Sequence, residues 1–263
     1  MKKVAIVTGA SQGIGAAIAD MLVSEGYDVY GLSRRRSELA AYNYVPCDLT
    51  DSASIEQAVR TIAERENGQI DLLINDAGMG IAGAIEFAHP DDIARQLGVN
   101  LTGTMAITQK VLPYMRRRGA GKIIFISSLA AIFPLPYQAY YSVSKAGINA
   151  FSDALGIEVK PFGIQTSAMM LNDVKSEFTA NRRKNLEGND IYHGRIELSV
   201  HRMERSEQNG MSVQQIAAAC RRLIRKDPMP PHVVVGAEGK LYAFLYRILP
   251  TRTMLAVIRK VYG

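Results

Sequence analysis

Near its start the chain passes from an apolar, β-branched stretch, Val4-Ala5-Ile6-Val7, straight into Thr8-Gly9-Ala10-Ser11-Gln12-Gly13-Ile14-Gly15. Ala16-Ala17-Ile18-Ala19 and Met21-Leu22-Val23 follow, a pattern that predicts a helix buried along most of its face. Strand, glycine-rich turn and helix in immediate succession constrain this chain more than any other feature. Glycine lets a backbone turn sharply and come close to a ligand. The helix start offers unpaired N–H groups and the positive end of its dipole, and together they suit a pyrophosphate. Gly9, Ser11, Gln12, Gly13, Ile14 and Gly15 are the expected contacts.

The same alternation continues to the other end. Asp28 to Arg34 and Tyr44 to Asp48 read as strands. A helix capped by Asp51 or Thr50 follows, with Ile55, Ala58, Val59 and Ile62 at helical spacing. Ile70 to Ile74 is a fourth strand, running into the small and polar Asn75-Asp76-Ala77-Gly78, where Asn75, Ala77 and Gly78 should meet a ligand. Helical segments at 93–97 and 105–115 flank Asn100, and the apolar run Ile123-Ile124-Phe125-Ile126 ends in Ser127-Ser128. Strands at 163–170 and 233–235 and a helix at 213–224 complete the series. Strands alternating with helices imply an α/β fold: a Rossmann-type doubly wound parallel sheet of about seven strands, with helices on both faces, and one domain over 1–263.

At 48% apolar residues the chain can fill such a core. Its net charge of +6 is scattered, with the densest clusters at Arg34-Arg35-Arg36 and Arg116-Arg117-Arg118. No aromatics interleave with them to stack bases, so nucleic acid is not an expected partner. Cys47 and Cys220 lie far apart and read as buried free thiols in a reducing compartment. Met1-Lys2-Lys3 ahead of the first strand is not a secretory signal. Residues 123–144 carry no charge, but Pro134, Pro136 and Gln138 argue against a membrane span. A cytoplasmic protein is expected. His89, His193, His201 and His232 lack metal-binding spacing, and no metal is expected.

Two features carry chemistry. On a helix Tyr141 and Lys145, four apart, point the same way. A tyrosine is a poor acid or base at neutral pH, and a nearby ammonium is expected to lower its pKa into use. The 123–128 strand would deliver Ser128 to the same sheet edge. The second feature is Ser33-Arg34 at the end of the second strand. An acid there would hold a ribose 2′-hydroxyl, whereas arginine grips a 2′-phosphate. NADP(H) is therefore expected over NAD(H).

The C-terminal third is less regular. The polar region of about 172–210 reads as a mobile substrate lid or a solvated helical arm. In the extension of about 238–263, Leu241, Phe244, Leu245, Ile248 and Leu249 make an amphipathic helical pattern. Met254, Leu255, Val257, Ile258 and Val261 resume it after Pro250, and no acid follows Glu238. The tail would pad a substrate pocket, join subunits or, less readily, lie on an anionic membrane surface. Ala146, Ala150 and Ala154 form a small-residue stripe for helix packing or a subunit contact.

The chain resembles the short-chain dehydrogenase/reductases over nearly its whole length. Thr8-Gly9 with Gly13-Ile14-Gly15 resembles their cofactor loop, Asn75-Asp76-Ala77-Gly78 their Asn-Asn-Ala-Gly motif, and Asn100, Ser128, Tyr141 and Lys145 their catalytic tetrad. The resemblance implies that Asp48, with Leu49, meets the adenine. It implies that Ser176 bonds the carboxamide in place of a threonine, and that Asn100 holds a water linking Lys145 to solvent. Lys145 would bond the nicotinamide ribose, Ser128 the carbonyl oxygen, and Tyr141 would move the proton. The length and basic tail are similar to the hydroxysteroid dehydrogenase branch. The implied reaction interconverts a ketone and a secondary alcohol on a lipophilic body such as a steroid; a homodimer or homotetramer is expected. A 3-oxoacyl thioester reductase and a non-catalytic NADP(H)-binding regulator are the alternatives. Two departures stand out: Asp76 for the second asparagine, and Leu171-Asn172 for the family's Pro-Gly. Asparagine can tolerate the left-handed conformation that glycine often supplies.

Overall fold

The computed structural model describes residues 2–37 and 40–263; Met1 lies outside the described residues. Seven parallel strands form the central sheet: β1 (Val4–Thr8), β2 (Asp28–Ser33), β3 (Asn43–Pro46), β4 (Leu72–Asn75), β5 (Gly121–Ser128), β6 (Ile164–Leu171) and β7 (His232–Val234). They lie in the order β7-β6-β5-β4-β1-β2-β3. The order reverses between β1 and β4, and in open parallel sheets the crevice at the strand ends beside that point is where ligands bind.

Burial on both faces explains why the strands read as unbroken apolar runs. All five residues of β1 are buried. One face is covered by α1 (Gly13–Ser24) and α7 (Val213–Ile224), through side chains such as Ile18, Leu22, Ile216 and Leu223. The other is covered by α2 (Ser52–Arg65), α4 (Thr104–Arg118) and α5 (Ala139–Val159), through Ile55, Ile62, Ile107, Val111 and Ile148. Each fully buried Ile or Leu contributes about 1.5–3 kcal/mol. Cys220 lies in the first cluster and Cys47 in the second, both free, so the sheet stands between the two thiols.

Local chemistry sets the ends. Asp51 caps α2, its carboxylate accepting from Ala53 N at 2.9 Å. Gly119 ends α4 in the left-handed conformation that a side chain would oppose. Between α3 (Pro90–Leu97) and α4 the helix is not broken, as the sequence suggests, but continues as a π-helical segment, Gly98–Gly103. Such widened turns recur at functional sites, and this one carries Asn100.

The region of 172–210 is less irregular than its composition implies. It holds a short helical turn, Glu177–Ala180, and a full helix, α6 (Arg195–Gln208). α8 (Ala237–Ile248) and α9 (Thr251–Tyr262) form the C-terminal extension. Met254 and Ile258 of α9 are buried with Leu129, Phe133 and Met170 in a third apolar cluster.

Candidate active site

The crevice at the strand ends is a cleft of about 830 Å³. Its floor is built from backbone. Gly9 and Gly13 have φ of +72° and +61°. A Cβ at Gly9 would stand 2.9 Å from Ala77 Cα, and one at Gly15 would stand 2.5 Å from Gly9 O. Thr8 Oγ1 accepts from Asp76 N at 3.0 Å and Ala77 N at 3.1 Å, tying β1 to the loop after β4. Gln12 precedes α1 without a side-chain capping bond, and the first turn of α1 holds no acid. The cradle therefore fits a dinucleotide pyrophosphate: close-approaching glycines and a helix start left open to an anion.

Of the residues expected to touch the cofactor, Gly9, Ser11, Gln12, Gly13 and Ile14 line the cleft. So do Ser33, Arg34, Asp48, Leu49, Ala77, Gly78 and Ser176. Gly15 and Asn75 do not. Gly15 serves by lacking a side chain, because Gly9 and Asp76 fill the space a Cβ would need. Asn75 is buried and turned away, donating to Thr108 Oγ1 at 3.1 Å on α4. Asp48 uses Oδ1 within its own turn, accepting from Thr50 N at 2.9 Å and Thr50 Oγ1 at 2.7 Å. Those bonds, with Arg34 and Arg95 nearby, hold its carboxyl below the usual range. Arg34 is exposed at the cleft edge, with Arg35 beside it. Arg95, on α3, joins this basic end. Sequence reading missed it, because nothing in the chain ties a residue sixty positions away to Arg34.

At the other end Ser128, Tyr141 and Lys145 come together. The Ser128 hydroxyl lies beside the Tyr141 phenol and accepts from Ala130 N at 3.1 Å. Lys145 is 7% exposed, donates to Ile126 O at 2.7 Å, and lies 5.7 Å from the centre of the Tyr141 ring. Asn100 stands behind the wall. Its Oδ1 accepts from Met79 N at 2.8 Å and its Nδ2 donates to Met79 O at 2.9 Å, bracing the loop after β4. Nδ2 also reaches Ser144 Oγ at 3.3 Å on α5.

The electrostatics correct one expectation. Burial pushes the Tyr141 phenol up to about 12, with the neighbouring Ser128 hydroxyl opposing. Lys145 does not bring it down. Burial pulls Lys145 itself below the usual amine range, against the pull of Asp76. Burial likewise holds the Asp76 carboxyl well above the carboxylate range, against Lys145 and the nearby Gly15 N–H. Tyr141 thus keeps its proton at neutral pH, the state needed to donate one. The substitution at Asp76 places a carboxylate toward the lysine that the tetrad depends on.

Over this end lies the arm. The Phe178 ring packs 5.7 Å from the Tyr141 ring, and a Cβ on Gly80 would collide with it at 2.8 Å. Arg182 is buried over Phe178 and paired with Glu207 of α6. Glu207 also accepts from Thr179 Oγ1 at 2.6 Å. Asp173 accepts from Ser206 Oγ at 2.6 Å, and burial raises its pKa. Phe178, Glu207 and Asp173 all line the cleft. None has a local motif that would have marked it. Of the loop 130–138, Ala130, Phe133, Leu135 and Gln138 line the cleft, whereas Pro136 and Tyr137 stand aside. Tyr137 has a φ of +60° and packs edge-on to Tyr192 at 6.1 Å. Asn172 is not left-handed: the non-glycine residues with positive φ among those described are Asn67, Tyr137 and His193.

The short-chain dehydrogenase model matches residues 3–187. The chain belongs to that family. A 3-ketodihydrosphingosine reductase of Bacteroides thetaiotaomicron is 38% identical over 99% of this chain and 98% of that protein. The 17-beta-hydroxysteroid dehydrogenase type 1 of Homo sapiens is 30% identical over 67% of this chain and 58% of its own length. Among solved structures, a short-chain dehydrogenase from Streptomyces avermitilis superposes with a TM-score of 0.85 at 26% identity, over 99% of this chain and 97% of that one. The seven-stranded fold and an NAD(P)-dependent oxidoreductase activity follow from the family, together with ketone/alcohol interconversion as the reaction class.

Proposed function

We propose that this short-chain dehydrogenase reduces a ketone on a long, lipophilic substrate to a secondary alcohol, with NADPH preferred. The observation that carries this reading is the convergence of Ser128, Tyr141 and Lys145 in a cleft whose far end is apolar. Val257, Ile258 and Val261 of α9 line that end, with Phe133 and Leu135. NADPH supplies the hydride when bound. Ser128 holds the carbonyl oxygen, and Tyr141, protonated at neutral pH, donates the proton to it. Lys145 orients the ribose, and Asn100 keeps the loop after β4 in place. Phe178 closes over Tyr141 and excludes water from the transfer. Arg34 and Arg35 at the basic end support the 2′-phosphate.

The Bacteroides relative's name directs the first choice of substrate to a 3-keto long-chain base. A steroid ketone is the second choice, on the similarity to the human enzyme, and a 3-oxoacyl thioester the third. The exposed stripe Ala146, Ala150 and Ala154 on α5 supports a homo-oligomer. The two free, buried thiols support a cytoplasmic location.

NADPH oxidation with these three substrate classes, and with NADH in parallel, tests the reading. Tyr141→Phe should lower turnover by about 10²–10⁴-fold and leave NADPH binding, followed by fluorescence titration, unchanged. Turnover retained in that variant would falsify the proton-donor assignment. Tight NADPH binding with no ketone reduced would restore the regulator reading.

A further inference from the structure

The two C-terminal helices differ between their inner and outer sides. Inward, Met254 and Ile258 are buried beside the cleft. Outward, Leu241, Phe244 and Ile248 of α8 are 54%, 59% and 57% exposed. At 100° per residue they fall within an arc of about 60°. None of the three joins the buried apolar clusters of the described residues. A contiguous exposed stripe of this kind marks a contact surface.

Charge narrows the partner. Lys240, Arg247, Arg252, Arg259 and Lys260 are all exposed on the same two helices, and no acid follows Glu238. Lys240 and Arg247 flank the α8 stripe on one side, roughly 60° from it. A second copy docking by a two-fold contact would set this surface against itself. Cations would then meet cations with almost no acid between them. An anionic partner has no such conflict. Position narrows it further: Val257 and Val261 of α9 are both exposed and part of the cleft wall. The tail therefore exposes apolar side chains both at the mouth of the cleft, on α9, and along α8.

We propose that α8 and α9 dock the protein on an anionic membrane surface. Leu241, Phe244 and Ile248 enter the acyl boundary, and the flanking lysine and arginines meet lipid phosphates. No helix among the described residues is long and apolar enough to cross a membrane, so the contact is peripheral. Docking places the mouth of the cleft at the bilayer, where a lipophilic ketone would enter without crossing water. That consequence rests on the reductase reading; the docking itself does not.

Co-sedimentation of the full chain with vesicles tests it, because the readout needs no turnover. The chain should partition onto phosphatidylcholine/phosphatidylglycerol vesicles at least about tenfold better than onto phosphatidylcholine alone, and added salt should release it. Phe244→Glu with Ile248→Glu should lower that partition by about tenfold or more. Neither residue lines the cleft, so reduction of a short, water-soluble ketone should be unchanged. Should that variant not fold, Arg247→Gln with Arg259→Gln decides, with a severalfold loss expected. Equal partition onto both vesicles, or undiminished binding by the variants, overturns the proposal. So does light scattering that shows a wild-type dimer dissociated by Phe244→Glu, which makes the stripe a subunit contact.

Discussion

The two ends of the cleft are made by different means. The cofactor end is backbone: glycines that admit close approach, an open helix start, and the loop after β4 tied to Thr8 of β1 through its peptide N–H groups. The substrate end is side chain: Phe178 over Tyr141, Arg182 paired with Glu207, and α9 laid along the opening. Backbone geometry tolerates little change, because a Cβ at Gly15 has no space to enter. A side-chain wall on an arm can be rebuilt without disturbing the sheet. One framework can therefore hold one cofactor and, through its arm, accept different substrates.

Substitutions at each end break or sharpen this contrast. Gly15→Ala should have the largest effect, since overpacking costs about 1–3 kcal/mol. NADPH should bind up to about a hundredfold more weakly, read by fluorescence titration, with a lowered melting temperature. A neutral result would mean the floor is not rigid. Arg34→Ser removes a charged hydrogen-bonding group worth about 1.5–3 kcal/mol. The ratio of NADPH to NADH affinity should fall about tenfold or more, and an unchanged ratio would remove Arg34 from the 2′-phosphate site.

At the substrate end, Phe178→Ala should raise KM for a lipophilic ketone about tenfold while NADPH binding holds, as losing one well-packed ring would. Opening Tyr141 to water should also lower its pKa from about 12, because burial is the main cause of the rise. The alkaline limb of the kcat profile should then move to lower pH. A fixed limb would mean Phe178 does not shield the phenol.

Asp76→Asn should have the smallest effect. The native state holds a proton on Asp76 that the unfolded chain releases near pH 4. Its stability contribution is full below that pH and is lost as pH rises through the raised native pKa. Asparagine does not ionise, so the melting temperature of the variant relative to wild type should climb from pH 5 to pH 8. A flat difference would show that the carboxylate is as well solvated in the fold as outside it.

The sequence by itself determined the sheet. Apolar β-branched runs alternate with helical patterns because strands buried on both faces must be apolar throughout, and that signature is local. The glycine loop was legible for the same reason, as was the Tyr141–Lys145 spacing, since one helical turn fixes it. Only the tertiary structure decided the rest. It turned Asn75 away from the cleft and gave Asn100 the loop after β4 to hold. It also raised the Tyr141 pKa where the lysine alone suggested a fall, because desolvation depends on what packs around a group and not on its neighbours in sequence. Phe178, Glu207 and Arg95 reach the cleft from arms and helices that fold back over long sequence separations, and no short motif encodes such an approach.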